Sequence, residues 1–176
     1  MNRIILSFIF LLFSMTTFCQ EDNDRGYLVK VGDKAPDFTA TLTDGSQISL
    51  KDLRGKVVML QFTASWCKVC RQEMPYIERE IWQKHKTKDF ALIGIDRDEP
   101  MEVVLEFGKK MGVTYPMALD PNADIFGLYA HKKSGITRNV IIDKNGQIVL
   151  LTRLFERNEF NEMKEMINRL IEGQKF

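Results

Sequence analysis

Cys67 and Cys70 are the two residues whose type and spacing point most directly to chemistry. The apolar run 57–62 that leads into them is typical of a strand buried on both faces. After the pair, Met74 and Ile77 begin a series of apolar residues at helical spacing. We therefore expect both cysteines to lie where a buried strand ends and a helix begins.

A thiolate is stabilised at such a junction. The first N–H groups of a helix lack partners within the helix, and the aligned peptide dipoles place partial positive charge there. In known Cys-X-X-Cys sites the pKa of the first thiol accordingly falls from about 8.5 to roughly 3.5–7. One thiolate then attacks a foreign disulfide, and the second sulfur resolves the mixed disulfide.

A structural disulfide or half of a zinc site would use the same two residues. Structural zinc usually takes four ligands, from two such pairs or from one pair and two histidines. This chain has a single Cys-X-X-Cys pair, and its two histidines, His85 and His131, are far apart in sequence. The pattern therefore favours redox chemistry without a metal or a bound cofactor.

Residues 1–19 are predicted to form a secretory signal peptide. Arg3 supplies a positive start, residues 4–13 are nearly all apolar, and small residues follow. That stretch is shorter than the roughly 20 apolar residues that a bilayer-spanning helix needs, and an uncleaved anchor is a third option. Cleavage after Cys19 is the first expectation. Acylation of Cys19 as a lipoprotein is the alternative, against which the bulky Phe18 argues. Both predict a periplasmic or otherwise extracytoplasmic location.

After cleavage, 157 of the 176 residues remain, which suits one domain with a sizeable core. We expect residues 20–30 to be a flexible leader and residues 31–174 to form the domain. Without Arg3 the chain carries 24 basic and 24 acidic residues, which argues against binding to nucleic acid or to a membrane surface. An exported protein whose two remaining cysteines form one such pair is expected to act on the disulfides of other proteins.

The elements around the cysteine pair can be placed in order. Alternating segments on either side of Asp44-Gly45 predict a hairpin. A second buried strand over 90–95, after the cysteine helix, predicts a parallel βαβ unit. Asp98 is expected to cap the next helix, and a short helix is expected after Asp120.

The C-terminal third predicts an antiparallel hairpin and a helix. Asn145-Gly146 separates two β-rich runs, which is a strong hairpin signal. Asn158 is expected to cap the final helix. The order hairpin, βαβ, helix, ββα predicts an α/β fold with a mixed central sheet flanked by helices and an N-terminal β-hairpin extension. The cysteine pair would lie at the carboxyl end of a central strand, where α/β proteins bind ligands.

This order, together with Trp66-Cys67-Lys68-Val69-Cys70, resembles the thioredoxin fold. More narrowly, the chain is similar to the exported thiol–disulfide oxidoreductases of the TlpA/ResA type, which are related to the AhpC/TSA–Redoxin proteins. The matching segments span nearly the whole mature chain: 32–38, 53–58, 73–75, 94–96, 115–117 and 141–146. The first and last of these are also similar to segments of peroxiredoxins, whereas the Trp-Cys-X-X-Cys segment is specific.

The resemblance implies a role for each matching residue. Cys67 would be the exposed nucleophile and Cys70 the resolving thiol. Trp66 would flank the site as a platform for substrate. Glu73 matches an acidic residue that helps to tune the cysteines in ResA-type relatives. Lys68, between the cysteines, places a positive charge near Cys67 and should favour its thiolate.

The loop before the strand 140–142 differs from the family pattern. Where relatives have a cis-proline, this chain has Thr137, in the segment 135–139. A cis bond that does not precede proline costs about 2.5–4 kcal/mol, so the Ile136–Thr137 bond is expected to be trans. In relatives this loop faces the sulfurs and pairs with the substrate backbone, which makes Ile136 and Thr137 candidate substrate-binding residues.

The main hypothesis is dithiol–disulfide exchange outside the cytoplasm by a monomer. The resemblance favours a reductase of disulfide-bearing exported proteins, with apocytochrome c as one candidate and a membrane thiol protein as electron donor. One alternative is a chaperone for copper or another soft metal, because two thiolates suit Cu(I). The other is a thiol peroxidase, but the chain lacks the Pro-X-X-X-Thr segment that precedes a peroxiredoxin cysteine.

Overall fold

Seven strands form two sheets in the computed structural model, which describes residues 25–173. The strands are β1 (Thr39–Thr41), β2 (Gln47–Ser49), β3 (Val57–Thr63), β4 (Phe90–Arg97), β5 (Met117–Asp120), β6 (Arg138–Ile142) and β7 (Ile148–Arg153). The predicted hairpin is confirmed as the two-stranded sheet β1–β2, and the other five strands form the central sheet in the order β5-β4-β3-β6-β7.

Helices and helical turns lie between the strands. They are α1 (Lys68–Ile77), α2 (Gln83–His85), α3 (Met101–Met111), α4 (Phe126–Tyr129) and α5 (Arg157–Ile171). A wider, π-helical turn (Glu78–Trp82) joins α1 to α2, and short 3₁₀ turns cover Leu50–Leu53 and Pro121–Ala123. Pro75 lies in the last turns of α1. The regular helix thus ends shortly after Pro75, whose ring cannot be accommodated in a helix interior without distortion.

The central sheet is mixed, as predicted. Strand β3 pairs in parallel with β4 and antiparallel with β6. The parallel pair confirms the βαβ unit, and the antiparallel pair β6–β7 confirms the hairpin around Asn145-Gly146. The sequence analysis does not predict strand β5. Its four residues lie between Pro116 and Pro121 and are too few to show a period in side-chain character.

Apolar side chains of β3 enter the core on both faces of the sheet. Val58, Leu60 and Phe62 belong to one cluster, in which the Phe62 ring meets the Phe126 ring of α4 edge-on. Met59, on the other face, packs in a second cluster with side chains of α1, α3 and α5. All seven residues of β3 are buried, which explains why the segment is apolar except for Gln61 and Thr63.

Residues 25–30, which the sequence analysis assigns to a flexible leader, pack against the domain instead. The Tyr27 ring is buried, and its hydroxyl donates to the Thr152 carbonyl oxygen at 2.5 Å. Arg25 forms an ion pair with Glu159 of α5. The prediction was wrong for this segment because it was based on local polar composition. Composition does not show that the Tyr27 side chain packs against residues more than 100 positions away in sequence.

Two helix caps also differ from the prediction. Pro100, not Asp98, precedes the first residue of α3, and its carbonyl oxygen accepts from Val103 and Val104. Asp98 has a positive φ of 63° and pairs with Arg97. The cap of α5 is Glu156, whose carboxylate accepts the N–H of Asn158, the residue that the sequence favours as the cap. A longer side chain therefore reaches the same orphan amide groups that Asn or Asp usually satisfies.

Within residues 25–173, no helix has both the length and the apolar character needed to cross a bilayer. The predicted signal peptide, residues 1–19, and Cys19 with it, lies outside the described residues.

Candidate active site

Cys67 and Cys70 lie at the junction that the sequence predicts. Strand β3 ends at Thr63, and Cys67 occupies the cap position of α1, which starts at Lys68. The two sulfurs form a disulfide with Cα atoms 5.3 Å apart. The Cys70 N–H donates to Cys67 Sγ at 3.2 Å. An amide of the first helical turn, which has no partner within the helix, thus donates to the sulfur of Cys67, as expected for a site that stabilises a thiolate there.

The two sulfurs differ in accessibility. Cys67 is 7% exposed and Cys70 is fully buried. The nucleophile predicted as exposed is therefore mostly covered in the disulfide form, although it is the more accessible sulfur of the two. Of the two cysteines, Cys67 alone is in contact with solvent in this form, whereas Cys70 is closed off from it.

The loop before β6 covers the disulfide. Thr137 Oγ1 lies 3.2 Å from Cys67 Sγ and 3.3 Å from Cys70 Sγ. The Ile136–Thr137 peptide bond is trans, as the sequence predicts for a non-proline residue. The Ile136 side chain is 4% exposed and belongs to the core cluster of Phe62. A substrate contact of Ile136 would therefore have to come from its backbone, because its side chain is used in packing.

Trp66 is 60% exposed beside the disulfide. The preceding residue, Ser65, is fixed from two directions: its N–H and hydroxyl both donate to Glu99 at 2.5 Å, and its carbonyl oxygen accepts from Arg71 at 2.8 Å. A groove of about 330 Å³ runs beside Trp66 towards Phe107 of α3. The indole therefore stands on a fixed loop at the edge of an open groove.

Glu73 is buried one helical turn beyond Cys70, above a polar pair in the sheet. Gln61 of β3 and Asn139 of β6 are register partners. Asn139 Nδ2 donates to Glu73 Oε1 at 2.7 Å and to Thr152 Oγ1 at 2.9 Å. Gln61 Oε1 accepts from the Tyr115 hydroxyl at 2.7 Å. The carboxyl thus lies in a polar network that is enclosed by the core.

Burial raises the pKa of Glu73 to about 8, and the amide side chains of Asn139 and Gln61 only partly oppose this rise. Glu73 Oε2 accepts no hydrogen bond. A carboxyl with such a pKa is largely protonated at neutral pH and can exchange a proton near it.

A second buried carboxyl, that of Asp96, lies near the loop between β3 and α1 that carries Trp66. Asp96, fully buried near the end of β4, is the register partner of Thr63, and neither of its oxygens accepts a hydrogen bond. Burial, followed by the adjacent Glu99 carboxylate, raises the pKa of Asp96 to about 8. Because Glu99 also holds Ser65, the Asp96–Glu99 pair connects the end of β4 to the loop that carries Trp66.

The sequence analysis did not identify the polar residues around Glu73 or the buried Asp96. Gln61 and Asn139 were detectable as polar residues inside apolar strand runs, which is a sign of a buried polar group. Tyr115, Thr152 and Asp96 carried no comparable signal. Among residues 25–173, no group of three or more His, Cys, Asp or Glu side chains is arranged to hold a metal ion.

Comparison with known proteins agrees with this geometry. The AhpC/TSA family model matches residues 31–151, which is more than half of the chain. A thiol-disulfide oxidoreductase ResA of Bacillus cereus is 38% identical over 121 residues, covering 69% of this chain and 68% of that protein. The ResA of Geobacillus kaustophilus is 35% identical over 120 residues, covering 68% and 67%.

Solved structures show the same fold. A solution structure from Bacteroides thetaiotaomicron, provisionally described as a protein disulfide isomerase, is 64% identical with a TM-score of 0.82 and covers 84% of this chain and 93% of that one. A crystal structure from Chlorobium tepidum, provisionally described as the thiol:disulfide interchange protein DsbE, is 29% identical with a TM-score of 0.72 and covers 81% and 99%. With the Cys67–Cys70 disulfide at the start of α1, these likenesses mean that the chain belongs to the AhpC/TSA family and is a thiol-disulfide oxidoreductase of the thioredoxin fold.

Proposed function

We propose that this protein is an extracytoplasmic reductase of protein disulfides. The observation that carries the proposal is the Cys67 sulfur, which accepts the Cys70 N–H at the start of α1 and is the more accessible of the pair. The resemblance to proteins of the TlpA/ResA type supports the reducing direction. The predicted signal peptide over residues 1–19 supports the location, with acylation at Cys19 as the alternative to cleavage.

The reaction would proceed in two exchange steps. The Cys67 thiolate attacks one sulfur of the partner's disulfide, so that a Cys67–partner bond forms and the partner's second sulfur leaves as a thiolate that water protonates. Cys70 then loses its proton and attacks Cys67 Sγ. The Cys67–Cys70 disulfide forms, the partner's first sulfur leaves, and two electrons have passed to the partner. A donor dithiol reverses these steps on the oxidised protein.

Glu73 is proposed to take the proton from Cys70. Both residues lie on α1 three positions apart, and both are buried where water has little access. Once ionised, a carboxyl with a pKa of about 8 is a stronger base than one with an ordinary pKa. Trp66 and the backbone of the Ile136–Thr137 loop are proposed to hold the partner's chain during both steps.

The proposed partners are exported proteins that carry a disulfide, with apocytochrome c as one candidate, and a membrane thiol protein is the proposed electron donor. The protein would act as a monomer, without nucleic acid and without a bound cofactor. Equal numbers of basic and acidic residues after removal of the predicted signal peptide, residues 1–19, are consistent with that set of partners.

The test combines a reduction potential with trapping of the intermediate. Equilibration of Cys67–Cys70 in glutathione and dithiothreitol buffers gives the potential, and an insulin-reduction assay gives the rate. We expect a potential near the reducing end of the range of thioredoxin-fold proteins, roughly −270 to −120 mV. Cys67→Ser should abolish turnover, and Cys70→Ser should accumulate a mixed disulfide through Cys67. A potential at the oxidising end would overturn the reductase assignment.

Location needs its own experiment. Fractionation of cells that express the full chain should place the mature protein outside the cytoplasm, and mass spectrometry of its N-terminus should show cleavage after Cys19. Labelling with a radioactive fatty acid that is lost in Cys19→Ser would establish the lipoprotein alternative. Recovery of an uncleaved chain from the cytoplasm would contradict the proposed location.

A further inference from the structure

The hydroxyl of Thr137 lies between the two reactive sulfurs. Its Oγ1 is 3.2 Å from Cys67 Sγ and 3.3 Å from Cys70 Sγ, both within hydrogen-bond reach for sulfur. The side chain is 3% exposed, so water competes little for this hydroxyl. Among the described residues, the Thr137 hydroxyl is the group that lies within hydrogen-bond distance of the buried Cys70 sulfur.

The position of this hydroxyl is set by the sheet. Thr137 directly precedes β6, and its carbonyl oxygen accepts the Leu154 N–H at 3.1 Å, just past the end of β7. Threonine is branched at Cβ, which restricts its χ1 angle. The hydroxyl is thus held over the disulfide by the framework of the fold, whereas a proline at this place would carry no donor at all.

A hydroxyl has one proton to donate, and its effect depends on the charge of the acceptor. A disulfide sulfur is a weak acceptor, whereas a thiolate forms a charge-assisted hydrogen bond, which is roughly twice as strong as a neutral one. The Thr137 hydroxyl therefore stabilises the thiolate states of the pair more than it stabilises the disulfide.

We propose that Thr137 is a catalytic residue whose hydroxyl donates to whichever of the two sulfurs carries the negative charge, Cys67 during attack on a partner and Cys70 during resolution. This inference rests on the proposed dithiol–disulfide exchange. During attack the hydroxyl joins the Cys70 N–H in stabilising the Cys67 thiolate. During resolution a rotation of the O–H bond turns the same proton to the Cys70 thiolate until the new disulfide forms.

The matched variants are Thr137→Val, which keeps the branched shape without the hydroxyl, and Thr137→Ser, which keeps the hydroxyl. Ultraviolet thiolate absorbance against pH gives the Cys67 pKa, a glutathione buffer gives the potential, and a stopped-flow experiment gives the rate at which Cys70 resolves a mixed disulfide with a model thiol. Loss of one hydrogen bond to a charged group should raise the Cys67 pKa by about one unit in Thr137→Val.

In Thr137→Val the equilibrium constant for reduction of the Cys67–Cys70 disulfide should fall by up to about tenfold. This corresponds to a reduction potential lower by about 30 mV. Mixed-disulfide resolution should slow by about tenfold, and Thr137→Ser should behave like the unchanged protein in all three measurements. If Thr137→Val does not fold, Thr137→Ala is compared with Thr137→Ser in its place.

Three results would overturn the inference. The first is an unchanged Cys67 pKa in Thr137→Val, and the second is an equal shift in Thr137→Ser, which would indicate a packing effect. The third is a shifted pKa with an unchanged resolution rate, because the hydroxyl would then serve one sulfur only. Failure of the unchanged protein to reduce insulin would instead refute the proposed function, which the same preparations report separately.

Discussion

At the scale of single residues, the site combines a sulfur that meets amide and hydroxyl donors with a carboxyl that does not ionise readily. The Cys70 N–H and Thr137 Oγ1 are directed at Cys67 Sγ. Glu73 lies among buried side chains with one oxygen unpaired. The first arrangement favours negative charge on Cys67, and the second favours a proton on Glu73, as expected of a group that is proposed to receive the Cys70 proton.

Glu73→Gln tests this division of roles. If Glu73 accepts the Cys70 proton, its replacement should slow mixed-disulfide resolution by about 10²-fold or more, within the usual range for general bases. The unchanged protein should show a resolution rate that rises with pH up to about 8, the pKa of Glu73, and this inflection should be lost in the variant, whose rate then follows ionisation of the Cys70 thiol itself. Stopped-flow fluorescence over this pH range measures both. A variant with the same rate and pH profile would exclude Glu73 as the proton acceptor.

Lys68→Glu tests the charge between the cysteines. Lys68 is exposed at the first position of α1, next to Cys67. Reversal of its charge beside a thiolate should raise the Cys67 pKa, by well under one unit because solvent screens an exposed pair. Thiolate absorbance measures the shift, with Lys84→Glu, on α2 and distant in sequence, as the control. No rise, or a fall, would show that Lys68 is only a solvated surface residue.

At the scale of secondary-structure elements, the loop between β3 and α1 is held by the end of β4. Glu99 binds the N–H and hydroxyl of Ser65, and Asp96 lies buried beside Glu99. Two adjacent carboxyls, of which Asp96 is buried and Glu99 half-buried, repel each other once both are ionised. A proton retained on Asp96 therefore stabilises the folded loop, at the cost of making stability depend on pH.

Asp96→Asn should gain stability over the unchanged chain as the pH rises. The free energy of unfolding of the variant minus that of the unchanged chain should be larger at pH 8 than at pH 4. The pKa of Asp96 is 3.8 in its ordinary state and about 8 here. Between these values the folded state keeps a proton that the unfolded state releases, so stability falls as pH rises through this window, by at most about 1.4 kcal/mol per unit.

Urea unfolding of both chains from pH 4 to pH 9 measures this difference. It should widen up to about pH 8 and then level off. Asp89→Asn, which alters an exposed carboxylate, is the matched control and should show no such widening. A constant difference between Asp96→Asn and the unchanged chain across the range would refute the raised pKa.

At the scale of the whole molecule, the segment before the domain reaches the network behind the active site. The Tyr27 hydroxyl donates to the Thr152 carbonyl oxygen, and the Thr152 side chain accepts from Asn139, which holds Glu73. The Arg138 guanidinium lies 4.9 Å from the centre of the Tyr27 ring. The N-terminal segment thus closes one side of the core on which the site depends.

Tyr27→Phe should lower the free energy of unfolding by about 1 kcal/mol, the usual net value of one buried hydrogen bond. The ring and its packing remain, so the Cys67 pKa and the rate of insulin reduction should not change. Urea unfolding measures the loss, and thiolate absorbance checks the site. Unchanged stability would mean that the hydroxyl bond contributes nothing net. A shifted Cys67 pKa would mean that the segment acts on the chemistry as well.

Local patterns in the sequence were enough to predict the strand β3, the helix start at the cysteines, the parallel βαβ unit and the Asn145-Gly146 hairpin. Each of these depends on residues close together in the chain, through side-chain period, helix-terminal amides or turn conformation. The same locality explains the errors, because Asp98 and Asn158 were favoured as caps for their residue type although Pro100 and Glu156 occupy those positions.

Only the tertiary structure decided which groups surround the sulfurs. The contact of Thr137 with Cys67 joins residues 70 positions apart, and that of Asn139 with Glu73 joins residues 66 apart. Both follow from the placement of β6 directly beside β3. The raised pKa values of Glu73 and Asp96 arise from burial, a property of the assembled core and not of residue type. The amino-acid sequence by itself therefore determined the reactive pair, and the packing of the sheet determined its electrostatic surroundings.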